Sequence, residues 1–220
     1  MMSRVMLRLR KSDEVKYLSH LDLMRVFEFG LRRARIPVAY TEGFNPRPKM
    51  SFGSAISLGA TSDDERIVLE LAADMDPYEL KERLNAGLPG GYQVLDAETV
   101  PEGVKSPISA LNASRFRLTF CCGDECDCPA IESAVRGILD SPEVRVTRIR
   151  EKKGNKEVDI RPSLLSAEVT GCGEGSAVIE VAVKMGESGA RPQDFVQALG
   201  NRLANISVRK THRLEQFHED

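Results

Sequence analysis

A strand–helix–strand–strand–helix–strand order of predicted elements occurs twice along this chain, and such an order leaves few topologies open. Val5, Leu7 and Leu9 alternate with mostly cationic residues, which predicts a strand with one buried face. The same order returns between residues 114 and 220, with an additional hairpin that turns at Lys153–Asn155. We therefore predict an α+β protein of two ferredoxin-like lobes packed side by side, with an extra hairpin in the second.

Caps and turn residues delimit the elements of the first lobe. Ser19 begins a helix, and Asp22 three residues later completes a capping box. Met24, Phe27 and Leu31 lie on the apolar stripe of that helix, and Arg32 in its last turn complements the helix dipole. Short strands are predicted at 38–40, 51–58 and 66–72. Asp76–Pro77 begins a second helix with an N-cap and a proline in the first turn. A stretch rich in Pro, Gly, Ser and Asn separates the halves. The expected organisation is a lobe at 1–100, a linker at 101–113 and a second lobe at 114–220.

Charge is unevenly distributed along the chain. The net charge of −2 argues against a non-specific polyanion binder. The first 50 residues nevertheless hold 11 Lys or Arg against 5 Asp or Glu, an excess of six positive charges. A basic surface therefore has to be built from this segment. Aromatic residues make up only 5% and Trp is absent, which argues against a platform that stacks several bases of single-stranded nucleic acid.

The distribution of apolar residues bears on location. No run approaches the roughly 20 apolar residues that a membrane span needs. The N-terminal residues have no apolar region typical of a secretory signal. We therefore expect a cytoplasmic protein without a membrane association, in which the five cysteines are reduced.

The loop around residues 41–50 carries the first candidate binding group. Its polar members are Asn45, Arg47, Lys49 and Ser51. Two prolines, at positions 46 and 48, restrict the backbone, and a pre-ordered loop binds a ligand at lower entropic cost. Arginine and lysine suit phosphate or carboxylate. The alternative is a rigid connector whose charges are solvated.

His20 and Asp22 form a polar pair at the start of the first helix. One interpretation is a site in which His20 acts as a general acid or base, oriented by Asp22. The other is purely structural for Asp22, because its spacing from Ser19 fits a capping box. His20 has no capping role, and its function stays open at this point.

Further cations of the first lobe extend the candidate surface. Arg8, Arg10 and Arg25 line up with the 41–50 loop if the first strand and helix pack as in a ferredoxin-like fold. Basic side chains on an open sheet face can follow a nucleic-acid backbone. The strands lack the stacking aromatics of RNA-recognition motifs, so RNA would be bound through phosphate and shape.

Charged residues of the second lobe are harder to interpret. Lys153 belongs to the predicted hairpin turn, and Asp159 and Arg161 follow it. They either form a solvated turn or pair with each other to organise a cleft. Arg209 adds a cation in the last predicted strand.

Four cysteines fall within eight residues at Cys121, Cys122, Cys126 and Cys128. Four thiolates could hold Zn²⁺, although their spacing differs from that of common zinc knuckles. The alternative is small core residues and exposed loop thiols. Cys128 precedes Pro129 and is expected as the helix N-cap, where thiol reactivity rises.

Two long motifs resemble the radical-SAM-linked protein family, a bacterial family of unknown function. They are KYLSHLDLMR at residues 16–25 and GFNPRPKMSF at residues 43–52. KKG at 152–154, VDIRP at 158–162 and RKT at 209–211 are also similar to the family. The loop of the family typically has His where Arg47 stands here, so no titrating role applies to that position. The resemblance implies a cytosolic accessory of a radical-SAM enzyme.

Three functions remain open at the level of sequence. The favoured one is a binding protein, not an enzyme, that holds a macromolecular substrate such as RNA for a radical-SAM partner. The second is an enzyme that uses His20, and the third is a metal or thiol protein built on the Cys121–Cys128 segment. The chain has no CxxxCxxC motif for a SAM cluster, so it is not itself a radical-SAM enzyme.

Overall fold

The computed structural model describes residues 3–104, 107–123, 126–149, 154–186 and 189–219. Within these residues the chain forms four α-helices and ten strands, which confirms the predicted α+β class. It divides into two compact units, 1–111 and 112–220. The division falls inside the predicted linker at 101–113.

The first unit contains two helices and four strands. Their bounds are β1 Ser3–Lys11, α1 His20–Arg33, β2 Met50–Phe52, β3 Thr61–Leu71, α2 Pro77–Gly87 and β4 Tyr92–Thr99. The strands pair in the order β4-β1-β3-β2, and each neighbouring pair is antiparallel. Both helices therefore connect strands that are not adjacent in the sheet.

The core of the first unit lies between one face of this sheet and the two helices. Val5, Leu7 and Leu9 of β1 are almost completely buried, as the alternation predicts, and Phe27 and Leu31 of α1 pack in the same cluster. Burying each such side chain contributes about 1.5–3 kcal/mol. Arg4, Met6, Arg8 and Arg10 consequently lie on the opposite face of the sheet.

A close approach between α1 and α2 fixes their relative position. A Cβ atom on Gly87 would lie 2.9 Å from the Gly30 carbonyl oxygen, so only glycine fits there. The Arg83 guanidinium of α2 donates to the carbonyl oxygens of Ala34 (2.7 Å) and Arg35 (2.6 Å), just beyond α1. The C-terminal end of α1 is therefore held by hydrogen bonds as well as by packing.

The second unit has the same number of helices and two additional strands. Its elements are β5 Ala113–Cys121, α3 Cys128–Asp140, β6 Arg145–Arg148, β7 Lys156–Asp159, β8 Leu164–Gly173, β9 Ser176–Lys184, α4 Pro192–Gly200 and β10 Ser207–Phe217. Four of the strands pair in the antiparallel order β10-β5-β9-β8. The predicted extra hairpin is formed by β6 and β7, in register from Arg145↔Asp159 to Arg148↔Lys156.

A buried ion pair attaches this hairpin to α4. Arg148 of β6 donates from Nε to Oδ1 of Asp194 (3.2 Å) and from Nη2 to Oδ2 (2.6 Å). Both side chains are only 7% exposed. The Arg148 Nη2 also donates to the Gly189 carbonyl oxygen at 2.6 Å. The hairpin is thus held to the helix by charge-assisted hydrogen bonds.

Some element bounds differ from the predictions. The predicted strand at 51–58 is reduced to β2, and the strand predicted at 66–72 begins five residues earlier, at Thr61. The acidic run at 63–65 does not look like a strand by propensity, but pairing with β1 makes it one. The predicted strand at 38–40 is present only as isolated bridges, Val38↔Leu71 and Tyr40↔Pro48.

Helix length is relevant to the expected location. In the part of the chain that the structure describes, no helix is long and apolar enough to cross a membrane. A cytoplasmic location stays a prediction.

Candidate nucleic-acid interface

The 41–49 loop is held at its base by backbone hydrogen bonds. The Thr41 amide donates to the Arg47 carbonyl oxygen (2.9 Å), and the Lys49 amide donates to the Ala39 carbonyl oxygen (2.7 Å). The Arg47 amide also donates to the Thr41 hydroxyl at 3.0 Å. Because these contacts cross the loop, its tip is closed into a short hairpin-like arch. The loop backbone is therefore ordered before any ligand binds.

A groove of about 640 Å³ lies between this loop and α1. We call it the Arg47 groove; its lining residues are Leu21, Met24, Arg25, Glu28, Arg32, Asn45, Pro46, Arg47 and Pro48. The members from α1 recur at helical spacing and share the face opposite its buried stripe. Met24, which the stripe pattern placed in the core, instead lines this groove.

Cations predominate among the charged side chains of the Arg47 groove, with three arginines against one glutamate. Arg25 lies 3.8 Å from Asp22, at the limit of an ion pair. The Arg32 guanidinium lies 5.9 Å from the centre of the Phe29 ring. The Arg47 side chain is exposed and has no partner among the residues that the structure describes. The groove thus has uncompensated positive charge for an anion.

Sequence reasoning missed Arg32 as a member of this group. It was read only as a cation that complements the C-terminal end of the helix dipole. The signal was present, because Arg25, Glu28 and Arg32 stand three and four residues apart. That spacing places them on one helix face.

Lys49 and Ser51 belong to a second, smaller groove of about 350 Å³. It also includes Arg4 and Glu70, which pair across β1 and β3 on the outer face of the sheet. The Lys49 ammonium lies 3.5 Å from the Glu70 carboxylate, so its charge is partly neutralised. The loop residues predicted as one surface are therefore divided between two grooves that share Pro48.

Arg8 and Arg10 lie on the outer face of β1. Arg10 donates to Asp63 at 2.7 Å, in an ion pair that is exposed to solvent. Arg8 stands opposite Arg66 on one side and Asp96 on the other. Neither residue lines the Arg47 groove. Their alignment with the loop stays a prediction.

His20 and Asp22 have different roles in the first turn of α1. The Asp22 carboxylate accepts hydrogen bonds from the Ser19 hydroxyl (2.6 Å) and the Ser19 amide (3.0 Å), as the capping box predicts. These bonds, the hydroxyl one first, lower the pKa of Asp22 below its ordinary 3.8. The His20 ring is half-buried and packs edge-on against Phe52, with centroids 5.3 Å apart. Asp22 thus acts as a cap, and among the described residues it makes no hydrogen bond to His20.

A buried polar cluster lies nearby on the inner face of the sheet, and the sequence did not indicate it. The Lys11 ammonium donates to the carbonyl oxygens of Lys16 (3.1 Å) and Leu18 (3.0 Å). Burial lowers the pKa of Lys11, and the Glu65 carboxylate opposes this shift. Burial, followed by the carboxylates of Asp22 and Glu65, raises the pKa of Tyr92 to about 12. The cluster is 4–5% exposed, so it supports the start of α1 from inside.

The candidate residues of the second unit have structural contacts. The Asp159 carboxylate accepts hydrogen bonds from the amides of Val144 (2.8 Å) and Arg161 (3.0 Å). The Arg161 guanidinium donates to the carbonyl oxygens of Leu139 (2.8 Å) and Leu164 (3.0 Å). Arg209 is exposed on β10, and Lys153 lies outside the described residues. A role for them in binding stays a prediction.

The cysteines are paired in a way that corrects the expectation of reduced thiols. Cys122 is bonded to Cys126, and Cys128 is bonded to Cys172 in β8, with Cα atoms 5.8 Å apart. Only Cys121 is free. The sequence does not indicate this pairing, because the sheet brings Cys172 to the start of α3 over a separation of 44 residues.

Two further expectations for this segment concern the metal and the helix cap. In the described part of the chain, no group of three or more His, Cys, Asp or Glu side chains could hold a metal ion. Zinc binds thiolates, so the site predicted on Cys121, Cys122, Cys126 and Cys128 would require both disulfides to be reduced, and it stays a prediction. The N-cap of α3 is Asp127, whose carboxylate accepts from the Ala130 amide at 2.9 Å, so Cys128 is the first helical residue instead.

The fold is similar to that of several solved protein chains. One is a chain of a Cbf5–Nop10–Gar1 complex, with a TM-score of 0.58 and 10% identity. Another comes from an H/ACA RNP bound to a substrate RNA containing 2'-deoxyuridine, with a TM-score of 0.52 and 9% identity. A third comes from an archaeal box H/ACA sRNP Nop10–Cbf5 complex, with a TM-score of 0.52 and 10% identity. At such identities the likeness concerns the fold alone.

These alignments include 98% of this chain but only 49–50% of each solved chain. The chain therefore spans about half the length of the proteins that it resembles. No curated protein sequence matches it significantly. A family model does match, from residue 4 to residue 192. This range includes nearly all of the first unit and most of the second. The chain belongs to the family DUF2344, described as an uncharacterized protein conserved in bacteria.

Proposed function

We propose that this protein binds RNA, and that the Arg47 groove of the first unit contacts the RNA phosphates. The observation that carries this proposal is the Arg47 guanidinium, exposed on a closed loop without a partner among the described residues, opposite Arg25 and Arg32 of α1. An arginine fork matches phosphate geometry, and bidentate pairs of this kind are strong.

The fold supports the choice of RNA over other anions. Two of the similar solved chains come from H/ACA RNPs, and one of these complexes holds a substrate RNA. We also infer that each unit is a ferredoxin-like lobe. In its support, each unit has a four-stranded sheet, in the orders β4-β1-β3-β2 and β10-β5-β9-β8. In each sheet the last strand in the chain pairs with the first, and the third lies between the first and the second.

The second part of the proposal concerns a partner. The resemblance of residues 16–25 and 43–52 to radical-SAM-linked proteins favours an accessory that presents the bound RNA to a radical-SAM enzyme. Crosslinking in cells followed by identification of proteins and nucleic acids together tests this part. Recovery of RNA without a radical-SAM protein would remove the partner and leave the binding function.

The binding site is tested by fluorescence anisotropy with a labelled single-stranded RNA at several salt concentrations. The double variant Arg25→Ala/Arg47→Ala removes two cations from the groove. The matched control, Arg33→Ala/Arg136→Ala, removes two exposed arginines of α1 and α3 that lie outside it. We expect the groove variant to reduce the salt dependence by about 0.7 per lost phosphate contact, and the control to leave it unchanged.

The affinity gives a second readout. A hydrogen bond to a charged group contributes roughly 1.5–3 kcal/mol, so loss of the Arg47 contact alone weakens binding by at least about tenfold. Equal affinities for the groove variant and its control would refute the proposed site. Absence of any salt-dependent RNA binding by the wild-type protein would refute the function.

A further inference from the structure

Phe44 is the most exposed large apolar residue in the described part of the chain, with a relative accessibility of 106%. It stands at the tip of the 41–49 loop, next to Gly43, whose φ of +119° allows the sharp reversal. No atom lies within 4 Å of the place where a Gly43 side chain would begin, so the tip projects into solvent. A phenylalanine in this position contributes nothing to the core.

The backbone that carries the exposed ring is closed into a short, restricted arch. The hydrogen bonds between Thr41 and Arg47 close the loop three residues after Phe44. Pro46 and Pro48 restrict the returning segment. A rigid aromatic side chain loses little conformational entropy when it binds.

Phe44 is adjacent in the chain to residues that line the Arg47 groove. Asn45, which follows Phe44 directly, lines that groove, and Arg47 is at most about 11 Å along the chain. An aromatic face next to phosphate-binding arginines is the combination that single-stranded nucleic acid requires. In a duplex the base faces are already stacked on one another, so no base face is accessible for stacking on the Phe44 ring.

We propose that the Arg47 groove is specific for single-stranded RNA, with an unpaired base stacked on Phe44. This proposal rests on the function proposed above and adds the substrate class. The ring supplies one stacking contact, and the low aromatic content of the chain concerns only platforms that stack several bases. The charge of the groove favours nucleic acid over a protein partner as the occupant of the tip.

The absence of Trp from the sequence allows a direct measurement of stacking. The variant Phe44→Trp introduces a single indole at the loop tip. Its fluorescence is expected to be quenched by single-stranded RNA and unaffected by a duplex of the same sequence. The same titrations with Tyr78→Trp, at an exposed aromatic position of α2, provide the matched control and should show no quenching.

Affinities give the complementary result. Stacking is worth about 1–3 kcal/mol per base, so Phe44→Ala should weaken binding of single-stranded RNA by roughly 5- to 150-fold. Its salt dependence should equal that of the wild type, because the phosphate contacts remain. Tyr78→Ala should bind as the wild type does.

The outcomes separate the two proposals. If Phe44→Ala binds single-stranded RNA normally while Arg25→Ala/Arg47→Ala does not, the phosphate site stands and the stacking proposal is overturned. Equal loss of single-stranded and duplex RNA binding also overturns it. Unchanged RNA binding with lost capture of a protein partner would assign the tip to protein recognition. If the wild type binds neither RNA, both proposals fail together.

Discussion

Replacing Asp194 with alanine tests how much a buried ion pair stabilises the unit formed by residues 112–220. The Asp194 carboxylate accepts two hydrogen bonds from the Arg148 guanidinium, at 3.2 and 2.6 Å. It also accepts one from the Arg191 amide, at 2.8 Å, at the start of α4. All three bonds are lost in the variant, and among the described residues the 7%-exposed guanidinium keeps one acceptor, the Gly189 carbonyl oxygen.

The expected magnitude follows from this burial. Breaking a buried ion pair from one side costs about 3–5 kcal/mol, because an uncompensated charge remains in the interior. The lost amide contact at the helix start falls within the same range. A domain has roughly 5–15 kcal/mol of stability in total, so we expect Asp194→Ala to leave this unit close to unfolding.

Hydrogen exchange measured by mass spectrometry is the appropriate assay, because it reports on the two units separately. Urea unfolding followed by circular dichroism gives the total. The matched control is Arg145→Ala in β6, the strand that also carries Arg148. The Arg145 side chain, which pairs with Glu143, is 63% exposed. That variant should change stability little.

A further variant separates the charge from the packing. Arg148→Met/Asp194→Leu replaces both partners by apolar side chains, and it should recover much of the lost stability. If Asp194→Ala and Arg145→Ala destabilise the second unit equally, by less than about 1 kcal/mol, the reasoning from burial is refuted.

Three other predictions concern titration and crosslinking. Hydrogen bonds from Ser19 lower the pKa of Asp22 in the folded state below the ordinary 3.8. The ionised carboxylate therefore stabilises the fold fully above pH 3.8, and this contribution is lost as the pH falls through the lowered pKa. Asp22→Asn should accordingly make the stability less dependent on pH at the acid end. Acid titration of both proteins by circular dichroism measures it. Tyr92→Phe should remove a phenolate absorbance step near pH 12. Because the pKa of Tyr92 is raised in the folded state, the protonated phenol stabilises the fold below about pH 10, and this contribution is lost as the pH rises through 12. Reducing Cys128–Cys172, which are 44 residues apart, should lower the unfolding free energy by about 4 kcal/mol, as measured in urea with and without a phosphine reductant.

The candidate site was predictable only where local pattern fixes local geometry. The capping box of Ser19 and Asp22 follows from their spacing, and it is present. The loop prolines correctly indicate a restricted arch, whose closure depends on hydrogen bonds between Thr41 and Arg47. The sequence places Phe44 in a loop and Phe52 in a strand, but that Phe44 is fully exposed while Phe52 packs against the core is seen only in the structure.

The burial of Lys11 follows from the alternating pattern of β1. Lys11 continues the inward register of β1, two residues after Leu9, and it is indeed 4% exposed. The partners that make this burial tolerable, the carbonyl oxygens at Lys16 and Leu18 and the Glu65 carboxylate, come from a turn and from another strand. Their position depends on the sheet register, which sequence spacing does not specify.

By itself the sequence determined the element order, the helix starts and the inward face of β1, because caps and periodicity act over a few neighbouring residues. It also determined membership of the family DUF2344 over residues 4–192. Only the tertiary structure decided that Arg25, Arg32 and Arg47 share one groove, that Lys49 lies in another, and that Cys172 meets Cys128. These contacts join residues far apart in the chain, and their positions follow from how strands pair and helices pack across the core.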